Sequence, residues 1–480
     1  GACCSVRIWT TTVPAAPTGA RAPPMRDLAF VAFLVALLGL GLRRPFLFVL
    51  AYIYIDVVSP QRLSYYLINS VPLSMYAACL AFGGWLIAEK KTNLRFSVRQ
   101  GLIAVLLCYT FYTTMNADFP LEAAEKWDWA WKALAFAIFL PFTLGSRLRI
   151  EAALLYLTLS AAAIVIVGGL KTVMSGGGYG VLNLMVNNNS NLYESSTIST
   201  VAIALIPVIL WLARFGTVFK PDWRVRGFAA ALVFACLLMP IGTEARTGLV
   251  CIGVLAILML RDVKRRFLYL AGASLLALAA IPFLPASFTG RMSTIQGYQS
   301  DSSAGVRLAV WGWTWNYAQE HPLGGGFGAY RQNKIEVRTV AVEGSGGTQT
   351  VTARTQMDQG RAYHSSYFEM LGEQGFPGLI LYLLIQGAGL VRMEIVRRRY
   401  RKAEGDDAWI APLATGLQHF QLIYLVGSLF VGIAYQPFPW LMFAVGIGLD
   451  AWLARRARAG VRKPFLARPQ TVSSGASAFS

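Results

Sequence analysis

Arg307 has the residue type and the neighbours that binding of a phosphate or a carboxylate requires. Arg307, Trp311 and Trp315 follow one another at a helical spacing, which predicts a helix that carries all three on one face. A guanidinium beside an apolar surface needs an anion, and its planar fork of donors matches phosphate or carboxylate. The alternative is an arginine that snorkels to a membrane surface or stacks on Trp311. Arg307 is a candidate anion ligand and Trp311 a candidate substrate contact.

Arg246 is a second candidate, in the segment TEARTGL (243–249) between two long apolar runs. An ionisable residue at the end of an apolar helix is costly unless it is paired or functional. Glu244 is a possible partner, so a structural ion pair remains an open alternative. The chemistry of Arg246 suits a phosphate ligand, but its position in the sequence does not decide between phosphate binding and an ion pair with Glu244.

His364 is the histidine best suited to proton transfer. It lies in RAYHSSYFEMLGEQGFPGL (361–379), where a long polar block returns to an apolar run. Imidazole titrates near neutral pH and can act as general base towards a hydroxyl. His321 precedes a proline and is expected in a turn, whereas His419 lies within an apolar run and is expected to pack. The alternative for His364 is a structural residue.

Further cations lie near these segments. Arg361 precedes His364 by three positions, and Lys126 and Lys132 lie in the Trp-rich segment ADFPLEAAEKWDWAWK (117–132). Arg361 and Lys132 are candidate ligands for phosphate or sugar. No carboxylate cluster in the polar block has the pattern of a Mg²⁺ or Mn²⁺ site, and the six cysteines form no zinc-binding spacing. The sequence therefore predicts no metal.

A glycine cluster, GGGFG (324–328), follows His321 and Pro322. Phosphate-binding glycine loops follow a strand, and the most familiar one ends in a lysine. Neither feature is present here. A tight turn with positive φ is the favoured interpretation. The Thr/Gly/Gln-rich block between Arg331 and Arg361, which includes 343–356, is expected to be a mobile loop that faces an acceptor.

The composition places these residues in a membrane protein. The 480 residues are 55% hydrophobic and only 14% charged, whereas soluble domains carry about a quarter charged residues. The net charge is +19, which in a soluble protein would suggest nucleic acid. Here the basic residues concentrate in short loops between apolar runs, as on the cytoplasmic side of membrane proteins. A nucleic-acid partner is therefore not expected.

Apolar runs predict an all-α polytopic integral membrane protein with about 12 (12–13) transmembrane helices and a large, partly helical periplasmic loop. The count depends on residues 27–58, which form either two crossings or a hairpin that does not fully cross. Thirteen crossings put the N-terminus outside, and twelve put both ends in the cytoplasm. Basic loops mark the cytoplasmic side: 89–99, 146–149, 219–226, 261–266, 392–402 and 455–463.

The chain divides into five segments on this basis, and Met25, directly before the first apolar run, is the expected translation start. The expected segments are a disordered extension (1–24), an N-terminal transmembrane module (25–215), a region (216–395) with periplasmic loop 286–366 that the family resemblance described next implies is catalytic, C-terminal transmembrane helices (396–454) and a basic cytoplasmic tail (455–480).

Four segments taken together resemble the O-antigen ligase family of bacterial inner-membrane proteins. They are ARTGL (245–249), Arg307-x-x-x-Trp311, HPLGGGFGAY (321–330) and HSSYFEMLGEQGFPGL (364–379). The resemblance covers roughly residues 228–393. The N-terminal half is similar to the extra module of O-glycosylation ligases found with exosortase-A gene systems, through its Trp-rich loop and the Asn-rich loop 187–191.

The resemblance implies a metal-independent inverting glycosyltransferase that uses no cofactor. Such enzymes move a glycan from undecaprenyl diphosphate to an acceptor hydroxyl, on lipid A core or on a protein, at the periplasmic face of the bacterial cytoplasmic (inner) membrane. Arg246 and Arg307 would then bind the donor diphosphate, and His364 would activate or position the acceptor. The glycine segment would shape the cavity. Membrane lipids surround such an enzyme.

Two other functions remain open at this point. A polysaccharide polymerase of the same superfamily uses the same donor but extends another lipid-linked glycan. A membrane transporter or flippase would carry charges near the middle of its spans, whereas most charges here lie at the ends of the apolar runs.

Overall fold

The computed structural model describes residues 25–89, 96–177, 191–261, 302–343 and 350–461, with the isolated positions 91, 94, 268, 271, 272 and 275. Several predicted features lie wholly or mostly outside the described residues. They are the extension 1–24, the apolar run 267–285, the Asn-rich loop at 187–190 and the tail beyond residue 461.

Helices make up almost all of the described chain. They are α1 (Met25–Arg43), α2 (Phe46–Val58), α3 (Pro60–Leu63), α4 (Leu73–Ala88), α5 (Val98–Met115), α6 (Pro120–Thr143), α7 (Arg147–Ser175), α8 (Ser195–Phe215), α9 (Trp223–Gly242), α10 (Arg246–Leu260), α11 (Ser302–Glu320), α12 (Ser366–Tyr400), α13 (Ile410–Gly427) and α14 (Pro437–Val461).

Length and composition identify the membrane-spanning elements. Among the described residues, six helices are long and apolar enough to cross a bilayer: α1, α7, α8, α9, α12 and most of α14. The helices α2, α4 and α10 are apolar but shorter. Large apolar side chains such as Ile87 and Ile257 lie exposed on helix surfaces, as expected where lipid replaces water. The prediction of an all-α polytopic membrane protein is confirmed.

The two ends of the helix bundle differ in charge. At one end, here called the basic end, Arg99 and Arg392 both contact Asp450, at 2.9 and 2.8 Å. Arg149 pairs with Glu89 at the same end. The opposite end carries α11 and a β-hairpin and is called the loop end.

The first helix begins at the loop end. The carboxylate of Asp27 accepts hydrogen bonds from Ser64 Oγ at 2.8 Å and from the backbone N–H of Tyr65 at 3.0 Å. Val58 O, at the end of α2, accepts a hydrogen bond from Tyr193 Oη at 2.9 Å. The helices α1 and α2 therefore form a hairpin whose outer ends both lie at the loop end.

A β-hairpin occupies part of the segment expected to be a mobile loop. Strand β1 (Lys334–Glu343) pairs antiparallel with β2 (Thr350–Gln359), with Lys334 opposite Gln359. Val and Thr residues in both strands favour extended backbone. The Gly-rich segment between them made the whole block resemble a loop in the sequence. The expectation of a mobile loop is therefore wrong for Lys334–Glu343 and Thr350–Gln359, which form the two strands.

Two apolar clusters hold the bundle and its cap. The larger cluster joins α2, α5, α6, α8, α13 and α14 through fully buried side chains such as Ile53, Leu134 and Leu441. The smaller cluster, around Val310 and Ile335, lies between α11 and the β-hairpin. The cap therefore has its own small core, which fixes α11 against the bundle.

We expect Asp450→Asn to destabilise the bundle. The Arg99 side chain is only 7% exposed, and removing its carboxylate partner leaves a poorly hydrated cation. Breaking a buried pair by removing one partner costs about 3–5 kcal/mol. The melting temperature of the detergent-solubilised protein should fall by several degrees. Asp406→Asn, an exposed change near the same end, is the control. Equal melting temperatures for both variants would contradict the role given to this cluster.

Candidate active site

A polar cavity of about 250 Å³ opens at the loop end. Its wall combines α6, the start of α8, the segment before α12 and the segment between α13 and α14. The lining residues include Lys126, Glu194, Thr197, Tyr330, Tyr363, His364, Glu369, Glu373 and Gln436. His364 is the histidine among them, so the cavity is the natural place to test the predicted chemistry.

Residues 361–366, here called the strap, carry His364 and are held along their backbone. Asn333 donates from Nδ2 to Arg361 O at 2.7 Å and accepts from Arg361 N at 3.0 Å. Trp311 Nε1 donates to Tyr363 O at 2.8 Å. Ser366 N donates to Ser428 O at 2.8 Å. Hydrogen bonds to the backbone on both sides of His364 therefore fix the position of its Cα atom.

His364 itself has left-handed backbone, with φ at 48°. For a side-chain-bearing residue this conformation is uncommon, and strained positions of this kind cluster at functional sites. Loss of water on the cavity side lowers the pKa of His364 below 6.5. The nearby positive charges of Arg307 and Arg361 lower that pKa further, while Glu194 acts in the opposite direction. The neutral imidazole, which can accept a proton, is therefore favoured.

The helix α11 places Arg307 and Trp311 beside the strap. Trp311 stacks on Phe368 at a ring separation of 4.9 Å, and Trp315 meets Phe376 edge-on at 5.9 Å. Both tryptophans therefore face α12, as their spacing predicts. Arg307 lies one turn before Trp311, and its charge acts on His364. The structure thus brings the arginine and the histidine together.

Arg246 lies at the same end of the bundle. Thr243 and Ser199 exchange a hydrogen bond of 2.8 Å between α9 and α8. Gly248 also packs against Ser199, because a Cβ at Gly248 would approach Ser199 Cβ to 3.0 Å. Arg246 precedes Gly248 by two residues, so at a rise of about 1.5 Å per residue the start of α10 lies near the level of Thr197 in the cavity wall. Arg246, half-buried, is the first residue of α10.

The two remaining candidate cations occupy different places. Arg361 is exposed on the strap and pairs with Asp358. Lys132 pairs with Asp128 at 3.0 Å and lines a separate, mostly apolar cavity between α2, α4 and α6 with Trp131. Arg361 therefore lies on the same strap as His364, where its charge acts on the imidazole, whereas Lys132 lines a different cavity.

An ion cluster forms the inner wall of the cavity. Lys126 Nζ contacts Glu369 Oε1 at 2.6 Å and the two carboxylate oxygens of Glu373 at 2.9 and 2.7 Å. Glu369 also accepts from the backbone N–H of Ala434 at 3.1 Å. Each charged group in this cluster therefore has an oppositely charged partner, which buried charges require. Sequence reasoning gave Lys126 little weight and passed over both glutamates, although their spacing of four places them on one face of α12.

The glycine segment 324–328 supports this cluster. Gly324 has φ at +84°, and Gly326 N donates to Glu373 O at 2.9 Å. A Cβ at Gly375, where α12 is interrupted, would lie 2.2 Å from Pro322 O. Gly328 N donates to Glu373 Oε1 at 3.2 Å. The segment is a close-packed turn that orients Glu373, which agrees with the turn predicted from the sequence.

The cavity's acids are not arranged as a metal site. Over the ranges that the structure describes, no group of three or more His, Cys, Asp or Glu side chains has the proximity that metal ligands need. The glutamates of the cavity instead bind a lysine and backbone N–H groups.

Comparison with known families identifies the region that carries these residues. Residues 229–383 match the sequence model of a family described as O-antigen ligase. This match supports assignment of the region to the O-antigen ligase family. Residues 25–217 match a family of unknown function, DUF5935. No curated protein matches the chain.

The O-antigen ligase match supports a glycan-transfer function for the protein. The matched region holds Arg246, Arg307 and His364, together with Glu369 and Glu373 of the cavity wall. Lys126 and Glu194 come from the region that matches DUF5935. The two matched regions therefore build one cavity jointly.

We expect Trp311→Phe to reduce glycan transfer by the protein by about 2–12-fold. The phenyl ring can still stack on Phe368 but cannot donate to Tyr363 O, and a neutral hydrogen bond contributes about 0.5–1.5 kcal/mol. Transfer by purified protein is the measurement. Trp315→Phe, an exposed change on the same helix, should leave the rate unchanged. Equal losses in the two variants would show that the hydrogen bond to the strap is unimportant.

Proposed function

We propose that the chain transfers a glycan from undecaprenyl diphosphate to an acceptor hydroxyl at the periplasmic face of the bacterial inner membrane. The observation that carries this proposal is the position of His364. The imidazole stands at a polar cavity, close enough to Arg307 and Arg361 for their charges to lower its pKa. Transfer from a diphosphate donor to a hydroxyl requires a proton acceptor beside positively charged groups that bind the diphosphate.

The charge difference between the bundle ends supports the periplasmic assignment. Arg99, Arg149 and Arg392 mark the basic end, and basic residues are enriched on the cytoplasmic side of membrane proteins. The cavity lies at the opposite, loop end. A donor with a polyprenyl tail could keep the tail in the bilayer and extend its head group into the site.

The arginines would stabilise the leaving group. Negative charge grows on the diphosphate as its bond to the anomeric carbon breaks, and fixed cations in a partly desolvated site lower the energy of that state. Arg307 next to the strap and Arg246 at the start of α10 are the proposed ligands. Arg361 lies on the same strap as His364, where it can bind an outer phosphate oxygen.

His364 would handle the proton. The acceptor hydroxyl gives its proton to the neutral imidazole while its oxygen bonds to the anomeric carbon from the face opposite the diphosphate. The carbon–oxygen bond to the diphosphate breaks in the same step, so configuration inverts and undecaprenyl diphosphate leaves. Side chains of the protein can stabilise the negative charge on the diphosphate and accept the proton in this step. We therefore propose that no metal or cofactor participates.

Purified protein, a defined undecaprenyl-diphosphate glycan and a panel of acceptors test this function directly. The panel should contain lipid A core, a serine- and threonine-containing protein and a second lipid-linked glycan, each assayed with and without chelator. Single transfer to the first or second acceptor, unaffected by chelator, is expected. Products of many lengths on the third acceptor would indicate a polymerase, and no transfer to any acceptor would refute the proposal. The link to exosortase-A systems stays a prediction.

We expect Arg307→Ala and Arg246→Ala each to slow transfer by about 10²–10³-fold, by analogy with the loss of one charge-stabilising donor in other active sites. The rate constant at saturating donor is the measurement. Arg331→Ala is a matched control, because Arg331 lies at the loop end, pairs with Glu122 at 3.4 Å and is not part of the cavity wall. Wild-type rates in the first two variants, with normal membrane levels, would exclude both arginines from the reaction.

The pH profile should report the charges around His364. Its pKa is lowered in the folded protein, so the active neutral form persists below pH 6.5 and is lost as the pH falls through the lowered value. Arg361→Gln removes one of the charges that oppose protonation, so the acidic limb of kcat/KM should move to higher pH. Lys334→Gln, exposed at the loop end, should not move it. A shift to lower pH, or none, would contradict His364 as the base.

A further inference from the structure

A groove of about 370 Å³ lies between α7, α8 and α9, away from the cavity that contains His364. Its lining runs along α7 from Glu151 to Leu159 and along α9 from Arg224 to Leu232. Eight helical steps of about 1.5 Å give it a length of about 12 Å. Glu151 lies near the start of α7, at the basic end. The groove therefore begins at that end and is almost as deep as one leaflet, which is half of a hydrocarbon core of ~30 Å.

The groove opens on the outer surface of the bundle and is almost entirely apolar. Phe219 and Phe228, in its lining, are 56% and 50% exposed, whereas Ile209 and Ala213 of α8 are buried at its floor. All three helices are long and apolar enough to span a membrane. Hydrocarbon from the bilayer is therefore the medium that such a groove faces.

The acid in the groove is already bound by the protein. Glu151 accepts a hydrogen bond from Thr217 Oγ1 at 2.6 Å and from the backbone N–H of Val218 at 2.7 Å. These donors lie in the loop between α8 and α9, so Glu151 fixes that loop against α7. Arg224 is the basic residue of the lining. Its guanidinium lies 5.5 Å from the Trp223 ring, and none of the described ion pairs involves it.

The loop that carries Arg224 has an excess of positive charge. Asp222 caps α9 by accepting a hydrogen bond from Val225 N at 2.8 Å. Four basic residues surround this single acid in segment 214–226: Arg214, Lys220, Arg224 and Arg226. All four are exposed. Basic residues next to a bilayer attract anionic lipids, so the charge at this end of the groove complements a negative head group.

We propose that the groove binds one anionic phospholipid from the leaflet at the basic end. One acyl chain lies along Leu155, Leu212 and Leu232, and the phosphate meets Arg224, whose planar fork of donors matches phosphate oxygens. This lipid is distinct from the glycan donor, because the groove and the cavity lie at opposite ends of the bundle. The proposal does not depend on glycan transfer.

Such a lipid would join the two regions that match known families. The walls that α7 and α8 contribute lie within residues 25–217, which match DUF5935. Ala229 and Leu232 of α9 lie within residues 229–383, which match the O-antigen ligase model. An acyl chain between them contacts both regions, so the bound lipid should stabilise their association.

Titration of the delipidated full-length protein in detergent tests the proposal. Phosphatidylglycerol and phosphatidylcholine with identical acyl chains are the probes, and bound lipid is counted by native mass spectrometry. One phosphatidylglycerol per chain should bind about fivefold more tightly than phosphatidylcholine, which is the contribution of about one basic residue. Inorganic phosphate should not displace it. Equal binding of the two lipids, or displacement by phosphate alone, would overturn the proposal.

Two substitutions on α9 separate a defined site from diffuse attraction. Arg224→Gln should weaken phosphatidylglycerol binding about fivefold and remove the preference over phosphatidylcholine. Arg226→Gln removes the same charge from an exposed position of the same helix that does not line the groove, and it should retain most of the preference. Equal losses in the two variants would show that the loop attracts lipid without a site.

A second pair of variants tests the acyl chain. Ala229→Phe places a ring in the groove and should abolish retention of phosphatidylglycerol, together with the rise in melting temperature that this lipid gives the wild type. Ala230→Phe, an exposed change outside the groove, should preserve both. Arg224 is exposed, so Arg224→Gln remains informative if Ala229→Phe fails to fold. Undiminished retention in a folded Ala229→Phe protein would refute the groove as the binding place.

Photo-crosslinking locates the bound chain directly. A phosphatidylglycerol with a diazirine in one acyl chain is bound to the wild-type protein, irradiated and mapped by peptide mass spectrometry. Crosslinks should concentrate on the groove-lining parts of α7, α8 and α9 and fall in Arg224→Gln. Crosslinks spread evenly over the exposed apolar helices would contradict the proposal.

Discussion

The contact between Lys126 and the glutamates of α12 is the interaction on which the site depends. These charges lie at the loop end among apolar side chains, and Lys126 is 5.0 Å from the Phe327 ring and 5.6 Å from the Tyr435 ring. Removing ions from water is expensive unless each has a well-placed partner. The glycine segment, the break in α12 and the segment after α13 all contribute backbone groups to this arrangement. The hydrogen bonds and ion pairs that these charged groups require therefore determine the shape of the cavity.

Electrostatics also separates the tasks of the site over a short distance. Positive side chains stand around the strap, where His364 loses affinity for protons, and the acids are held further in. The imidazole therefore stands at the boundary between the two environments, where the proposed reaction would bring a hydroxyl and the leaving phosphate together.

Much of the architecture could be predicted from sequence, because a bilayer allows few solutions for the backbone and each span needs a long apolar run. The spacing of Arg307 and Trp311 also predicted a shared face correctly. The ion cluster could not be found in this way, since Lys126 and Glu373 are separated by 247 positions and no local pattern links them. The β-hairpin was missed because glycines between the strands resemble a flexible linker. Lys132 was attractive as a cation, but its position on α6 turns it towards another cavity.

The strap has a consequence for how such a protein can diversify. Trp311 holds position 363 through its carbonyl oxygen, a group that every amino acid carries. This anchor therefore does not depend on the chemistry of the side chain at position 363. Exposed positions elsewhere on the loop end can diverge over evolutionary time while the backbone beside the imidazole keeps its place.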